Sequence, residues 1–243
     1  MSQPSVPSAA ASVAPSAATA EPSLGQLYAD LHAHRVATMD PAQLQLNIDQ
    51  RRELVETADR AAFVQVGDRL TDVVLADVEG GALDLDALLA RGPVALVFFR
   101  FAGCPACNIA LPYYQRHLWP GLRDLGVQLV AVSPQPADRL VEIKRRHDLG
   151  FAVASDKDNA LGHRLGIVFT ANAATQAASL AKGSHLGEVT GTGTWDLPMP
   201  TVILLDRAGV VRFVDVTPDW LARTEPGVIL DAARRVAAVA AAA

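Results

Sequence analysis

The chain has little of what staples small proteins, anchors membrane proteins or coats nucleic-acid binders. Only two of its 243 residues are cysteine, Cys104 and Cys107, and both lie in one four-residue stretch. A pair so close cannot tie distant parts of a chain together, so a disulfide framework is excluded and the fold must stand on its core. Aromatic residues make up 5% and charged residues 19% of the sequence, and no segment gathers basic residues with aromatics. With 21 Lys+Arg against 26 Asp+Glu the formal net charge is -5, which argues against a nucleic-acid partner. Uninterrupted apolar runs such as Val94 to Phe99 are far shorter than the roughly 20 residues of a bilayer span, so no membrane association is expected. Residues 1–23 lack the basic and apolar regions of a secretory signal and the arginines of a transit peptide. A soluble, cytoplasmic protein is the expectation.

What is present is an ample core: half of the residues are hydrophobic. At roughly 150 residues per domain, the length suits one domain with an appendage. Residues 1–23 are small and punctuated by Pro4, Pro7, Pro15 and Pro22, which predicts a disordered tail. Residues 24–65 predict a helical arm. Leu24, Leu27, Tyr28 and Leu31 recur at spacings of three and four, and Asp40-Pro41 reads as an N-cap followed by proline at the first helical position. In the second arm helix Leu44, Ile48 and Val55 are expected to face inward, opposite Gln45, Asp49, Arg52, Glu53 and Glu56. The arm either folds back on its own domain or forms a homodimer interface.

Short β-like runs begin after Gly67-Asp68. Val73 to Leu75 precedes a turn at Gly80-Gly81, and Asp86 to Ala90 predicts a short helix. The continuous run Val94 to Phe99 predicts a strand buried on both faces. A helix is predicted from Pro105 towards Leu125, kinked at Pro112 and stopped by Gly126. Then come a strand over Val127–Val132, a helix over Ala137–His147, a strand over Phe151–Ala154 and a helix over Lys157–Leu165. Residues Thr201–Leu205 and Val210–Val216 read as a hairpin, and a last helix starts near Glu225-Pro226. This order describes an α/β domain with a central mixed sheet flanked by helices.

The two cysteines carry the chemistry. A thiol reacts as thiolate, and at an ordinary pKa of about 8.5 only about 3% is ionised at pH 7. Cys104 would cap the helix that starts at Pro105, where unpaired backbone N–H groups and the helix dipole favour an anion. Cys107 lies one turn further on the same face, so the pair can cycle between dithiol and disulfide. The loop such a disulfide closes is too short to stabilise a fold, which favours a redox role over a structural one. Two inert buried thiols, or half of a metal site, are the bland alternatives. A zinc site needs four ligands, however, and no second Cys pair or spaced His set supplies them. No metal and no cofactor beyond the redox-active disulfide are expected. His147 suits a helix C-terminus; His32, His34, His117, His163 and His185 have no obvious partner.

The segment Phe98-Phe99-Arg100-Phe101-Ala102-Gly103-Cys104-Pro105-Ala106-Cys107-Asn108 resembles the active-site segment of the peroxiredoxin-like (alkyl hydroperoxide reductase/thiol-specific antioxidant) branch of the thioredoxin superfamily. The resemblance continues in Val66-Gly67-Asp68, in Val127 to Ser133, and in Pro198-Met199-Pro200-Thr201 leading to Leu204 to Val210. It implies a thioredoxin-like domain over residues 66–243, with an insertion at about 167–197. Within that insertion Ala171 to Lys182 can be helical, while Gly183 and Gly187 to Gly193 read as loop. It also implies thiol-dependent reduction of hydroperoxides by Cys104, resolution by Cys107, and a thioredoxin-type or low-molecular-weight thiol reductant. The match is incomplete. Standard peroxiredoxins have proline and threonine where this chain has Val97 and Phe101, and an arginine near the late strand where it has Pro200. Arg100 stands as a candidate substitute. Pro200 followed by Thr201 resembles the cis-proline of thioredoxins, which implies a cis Met199–Pro200 bond. These departures favour a second reading, a dithiol–disulfide oxidoreductase acting on protein disulfides. A third reading is a redox-responsive binding module. Trp195, at the end of the insertion, is expected beside the sulfurs as a substrate wall together with Phe101, or else as a packing anchor for the loop.

Overall fold

The computed structural model describes residues 21–241, with side chains to residue 238. The elements in chain order are α1 (Leu24–Thr38), α2 (Pro41–Thr57), β1 (Val74–Asp77), β2 (Ala82–Asp84), α3 (Leu85–Arg91), β3 (Val94–Phe98), α4 (Pro105–His117), α5 (Trp119–Asp124), β4 (Gln128–Ser133) and α6 (Ala137–Arg146). There follow β5 (Ala152–Ser155), a 3-10 turn at Lys157–Asn159, α7 (Ala160–Arg164), β6 (Val168–Thr170), α8 (Ala173–Leu180), α9 (Leu186–Thr190), β7 (Asp196–Pro198), β8 (Thr201–Leu205), β9 (Val211–Val216) and α10 (Pro226–Ala241). The tail expected over residues 1–23 lies outside the described residues up to residue 20. Ser23 already belongs to the fold, its side chain accepting from the Gln26 N–H at the start of α1.

Seven strands form one mixed sheet in the order β2-β1-β5-β4-β3-β8-β9. The central strand β3 runs parallel to β4 and antiparallel to β8. Alternation along β3 divides the core. Ala95, Val97 and Phe99 join the cluster that contains both cysteines, while Val94, Leu96 and Phe98 join a second cluster under α3 and α7. Because successive strand side chains point to opposite faces, a run apolar at every position fills two cores at once.

The predicted long helix after Cys104 is two helices. Pro112 sits inside α4, and the break falls at Leu118, two residues before Pro120 in the first turn of α5. A proline N–H cannot donate, and the first turn is where that loss is harmless, so Pro120 starts a helix more readily than it continues one. Gly126 ends α5 in the left-handed region, as predicted.

The arm folds back on its own domain. Leu24 and Tyr28 are buried in the cluster that holds the cysteines. The Tyr28 hydroxyl donates to the Ala106 carbonyl at 3.1 Å, and the Glu225 carboxylate accepts from the Leu24 and Gly25 N–H groups at the α1 N-terminus. Asp40 caps α2 as predicted. The inward face of α2 differs from the prediction: Leu54 and Gln50 are buried, while Val55 is exposed. Gln50 has a polar job there, its side-chain oxygen accepting from the Asn172 N–H, and Glu53 accepts from the Asn172 side chain. Facing the polar start of α8, the arm uses hydrogen bonds where periodicity alone predicts apolar packing.

The insertion is more ordered than predicted. Its ends pair as an antiparallel ribbon of β6 and β7, with Phe169 opposite Leu197. The predicted helix is α8. Part of the glycine-rich stretch predicted as loop is the short helix α9, where the His185 ring nitrogen accepts from the Gly187 N–H.

Candidate active site

The loop from Arg100 to Gly103 carries the chain from the end of β3 to α4, and neighbouring strands brace it. The Ala102 N–H donates to the Gln135 side chain at 2.8 Å, and the Ser133 hydroxyl donates to the Arg100 carbonyl. The Asn108 amide donates to the Ala102 and Cys104 carbonyls, and the Cys104 N–H closes the turn onto the Phe101 carbonyl at 3.1 Å. Gln135 also donates to the Val189 carbonyl, which ties the loop to the insertion. A loop held at this many points delivers Cys104 to the N-cap of α4 in a fixed position.

Cys104 is the N-cap, as predicted, with Pro105 as the first helical residue, but its sulfur makes no ordinary capping hydrogen bond to the turn above it. Both thiols are free and completely buried. Burial alone would raise the Cys104 pKa. It is outweighed by a hydrogen bond from the Cys107 thiol, by the positive charges of Arg100 and Arg223, and by the Cys107 N–H, so Cys104 ionises well below an ordinary thiol. Cys107 is displaced the other way, by burial and by its bond to and the charge of the Cys104 thiolate. The pair is thus divided into one easily formed thiolate and one retained proton.

Arg223 escaped the sequence reading. It lies between β9 and α10, donates to the Trp220 and Ala222 carbonyls at 2.8 Å and 2.6 Å, and reaches the Cys107 sulfur at 3.6 Å. Its guanidinium also lies 5.7 Å from the Tyr28 ring centre. Nothing local in the sequence distinguishes it from a surface arginine. Arg100 was picked out in the sequence; it lies over Trp220, 4.4 Å from the ring centre, with Arg35 at 5.5 Å and Arg51 at 5.6 Å from the same ring.

Pro200 precedes β8 and Thr201 opens it across from the end of β3, with Thr201 opposite Phe98 and its hydroxyl donating to the Met199 carbonyl. The Met199–Pro200 bond is trans, against the expectation of a cis bond, since no cis peptide occurs among the described residues. An X–Pro bond is trans unless its surroundings supply more than its intrinsic preference of roughly 0.5–1 kcal/mol. Here the Met199 N–H is engaged by the Ile167 carbonyl at 2.7 Å and the Thr217 N–H by the Pro200 carbonyl at 2.9 Å, both satisfied in the trans form. Phe101 and Trp195 line one cavity of about 140 Å3, which also includes Arg100, Leu186 and Trp220. Trp195 packs against His185 with the rings tilted by 44°, 4.4 Å between ring centres. Among the described residues no group of acidic, His and Cys side chains could hold a metal ion, and no helix is long and apolar enough to cross a membrane.

A parallel β3–β4–β5 core, an antiparallel β8–β9 pair and a Cys-x-x-Cys at the strand-to-helix junction define a thioredoxin-fold dithiol protein. Residues 66–214 match the model of the AhpC/TSA family. The chain belongs to that family, and it is a peroxiredoxin-like, thiol-dependent hydroperoxide reductase. A Coxiella burnetii protein assigned as the peroxiredoxin bcp is 28% identical over 109 residues, 45% of this chain and 71% of the relative. Among solved structures, peroxidoxin BcpB of Mycobacterium tuberculosis is similar with a TM-score of 0.56 at 19% identity, covering 71% of this chain and 98% of that one. Peroxiredoxin Q of Xanthomonas campestris is similar with a TM-score of 0.55 at 16% identity, covering 72% and 97%.

Proposed function

We propose that Cys104 is the peroxidatic thiolate and Cys107 the resolving thiol of this peroxidase. The Cys104 sulfur attacks the hydroxyl oxygen of the hydroperoxide, an S–O bond forms as the O–O bond breaks, and the alkoxide leaves to be protonated to the alcohol. Sulfur is oxidised by two electrons to a sulfenic acid. Cys107 then attacks that sulfur, an S–S bond forms and water departs. A thioredoxin-type or low-molecular-weight thiol, in a cytoplasmic setting, restores the dithiol by exchange.

The observation that carries the assignment is the opposite displacement of the two thiols. Cys104 is favoured as thiolate and Cys107 holds its proton. Arg100 and Arg223 supply positive charge to Cys104 in a chain that has Phe101 and Pro200 where standard peroxiredoxins have threonine and arginine. Since both sulfurs are fully buried, the covering elements must part before a peroxide reaches Cys104. A structure of the Xanthomonas campestris bacterioferritin comigratory protein, reported for its alkyl peroxide reduction activity, shares the fold with a TM-score of 0.54 at 15% identity.

Stopped-flow oxidation of the reduced protein by hydrogen peroxide and by an organic hydroperoxide tests the reading. Rates far above those of a free thiol, and a trapped sulfenic acid in Cys107→Ser, are expected. Rates equal to a free thiol, with rapid reduction of a protein disulfide instead, would favour the disulfide oxidoreductase suggested by Val97, Phe101 and Pro200.

A further inference from the structure

An acidic chain of net charge -5 brings four arginines together around Trp220 and its redox pair. They come from four separate segments: Arg35 from α1, Arg51 from α2, Arg100 from the loop after β3, and Arg223 from the stretch before α10. Two of them are accounted for. Arg51 grips the Asp219 carboxylate with two nitrogens, at 2.6 Å and 2.8 Å, and Arg223 is engaged by two carbonyls and the Cys107 sulfur.

Arg35 and Arg100 are not. Neither side chain forms an ion pair or hydrogen bond among the described residues; both rest against the Trp220 indole. The Arg100 Nε is buried without a hydrogen-bond partner. Like charges gathered at a partly buried place repel, and a buried donor left unpaired costs its full desolvation penalty. Both defects are relieved by one event, the arrival of an anion. The Cys104 thiolate offsets part of the charge but forms no hydrogen bond with Arg35 or Arg100 among the described residues.

A cavity lies beside Arg100 and Trp220. The cavity of about 140 Å3 is lined by Arg100, Trp220, Phe101, Phe169, Leu186 and Trp195, with Arg35 outside that lining, against the Trp220 ring. Phe101 belongs to the turn that closes on Cys104, so the cavity wall is the outer side of the loop that holds the nucleophile. A cavity of this size takes part of a small molecule, and apolar walls with a few donors suit the apolar portion of such a ligand.

We propose that Arg35 and Arg100, laid against Trp220, bind the carboxylate of a small amphipathic co-substrate whose apolar body enters the Phe101–Trp195 cavity beside Cys104. Guanidinium groups suit this task because their planar donors match a carboxylate with two parallel hydrogen bonds. The site rests on the peroxidase reading of Cys104 and deepens it, since a carboxylate can arrive on either co-substrate: an acidic organic hydroperoxide, or a carboxylated thiol that reduces the disulfide.

Two half-reactions of the full-length protein separate these sources. Oxidation of the dithiol is timed with an uncharged aryl hydroperoxide and with its carboxylated counterpart of the same skeleton. Reduction of the disulfide form, prepared with diamide, is timed with glutathione and with glutathione diethyl ester. At least one half-reaction should favour the carboxylated reagent by about tenfold, mainly through KM, and the preference should shrink as ionic strength rises. Arg35→Gln and Arg100→Gln should each bring that ratio close to one, and Arg35→Lys should restore part of it. A preference in the first half-reaction identifies the oxidant as the carboxylate carrier, and one in the second identifies the reductant. Ratios near one in both half-reactions of the unaltered protein, or a ratio that persists in Arg35→Gln, overturn the site. Failure of both hydroperoxides to oxidise the dithiol overturns the peroxidase reading instead, and the glutathione pair still decides the site.

Discussion

The reduced protein should become more stable as pH rises through the range in which Cys104 ionises, and the gain should vanish when that sulfur is removed. In the unfolded chain a thiol titrates near about 8.5, whereas the folded Cys104 ionises well below an ordinary thiol because Cys107, Arg100 and Arg223 hold its anion against the opposing effect of burial. Between those two values the unfolded chain carries one proton more than the folded one. Stability therefore climbs with pH, by about 1.4 kcal/mol for each unit of separation, and is lost as pH falls through the folded value. Cys107 has the reverse linkage. Its folded pKa is raised, so its contribution is complete below about 8.5 and is lost as pH rises through its folded value. The dithiol contribution should thus peak near about pH 8.5. Urea denaturation of the reduced protein and of Cys104→Ser across matched pH values isolates the thiol, because His147 and Asp156, both shifted by burial, are common to the two proteins. A difference curve that is flat, or that falls with rising pH below about 8.5, would show that the four-residue site does not hold a thiolate.

Two further perturbations probe the framework that seats the arm and the insertion. Arg51→Met leaves the partly buried Asp219 carboxylate without its two-nitrogen partner and should cost about 1–3 kcal/mol in chemical denaturation at neutral pH. Asp219 has a lowered pKa, held down against burial by Arg51 and the Leu221 N–H, so the deficit should shrink as pH falls below about 4; a pH-independent deficit would point to lost packing instead. Gly166 adopts φ +70°, and a Cβ there would lie 2.1 Å from the Ala62 carbonyl oxygen. Gly166→Ala should lower stability by more than about 2 kcal/mol, and an unchanged thermal midpoint would refute the close approach of the arm's end to β6.

Local patterns announced much of the site. Cys104, Pro105 and Cys107 could be placed at a strand-to-helix junction because an apolar run, a proline at the first helical position and a glycine stop each act over a few residues. The same signals misplaced the break at Leu118, because Pro112 and Pro120 both interrupt a pattern and only packing shows which of them ends a helix. They also left 187–193 as loop, since glycines mask a five-residue helix whose cap is the unusual His185. Val97 and Phe101 were legible as departures from the family pattern and Arg100 as a candidate substitute, yet nothing in the sequence pointed to Arg223.

By itself the sequence determined that a single pair of thiols sits where a strand buried on both faces meets a helix, in a chain with no other covalent staple. The spacing of residues within a few turns is enough for that. Only the tertiary structure decided which charges gather at those thiols and at Trp220. Arg35, Arg51, Arg100 and Arg223 are separated by up to 188 positions, and Tyr28 reaches Ala106 across 78. Such groups meet because the arm buries Leu24, Tyr28 and Leu54 against the sheet's redox face, a long-range consequence of apolar burial that no local spacing encodes.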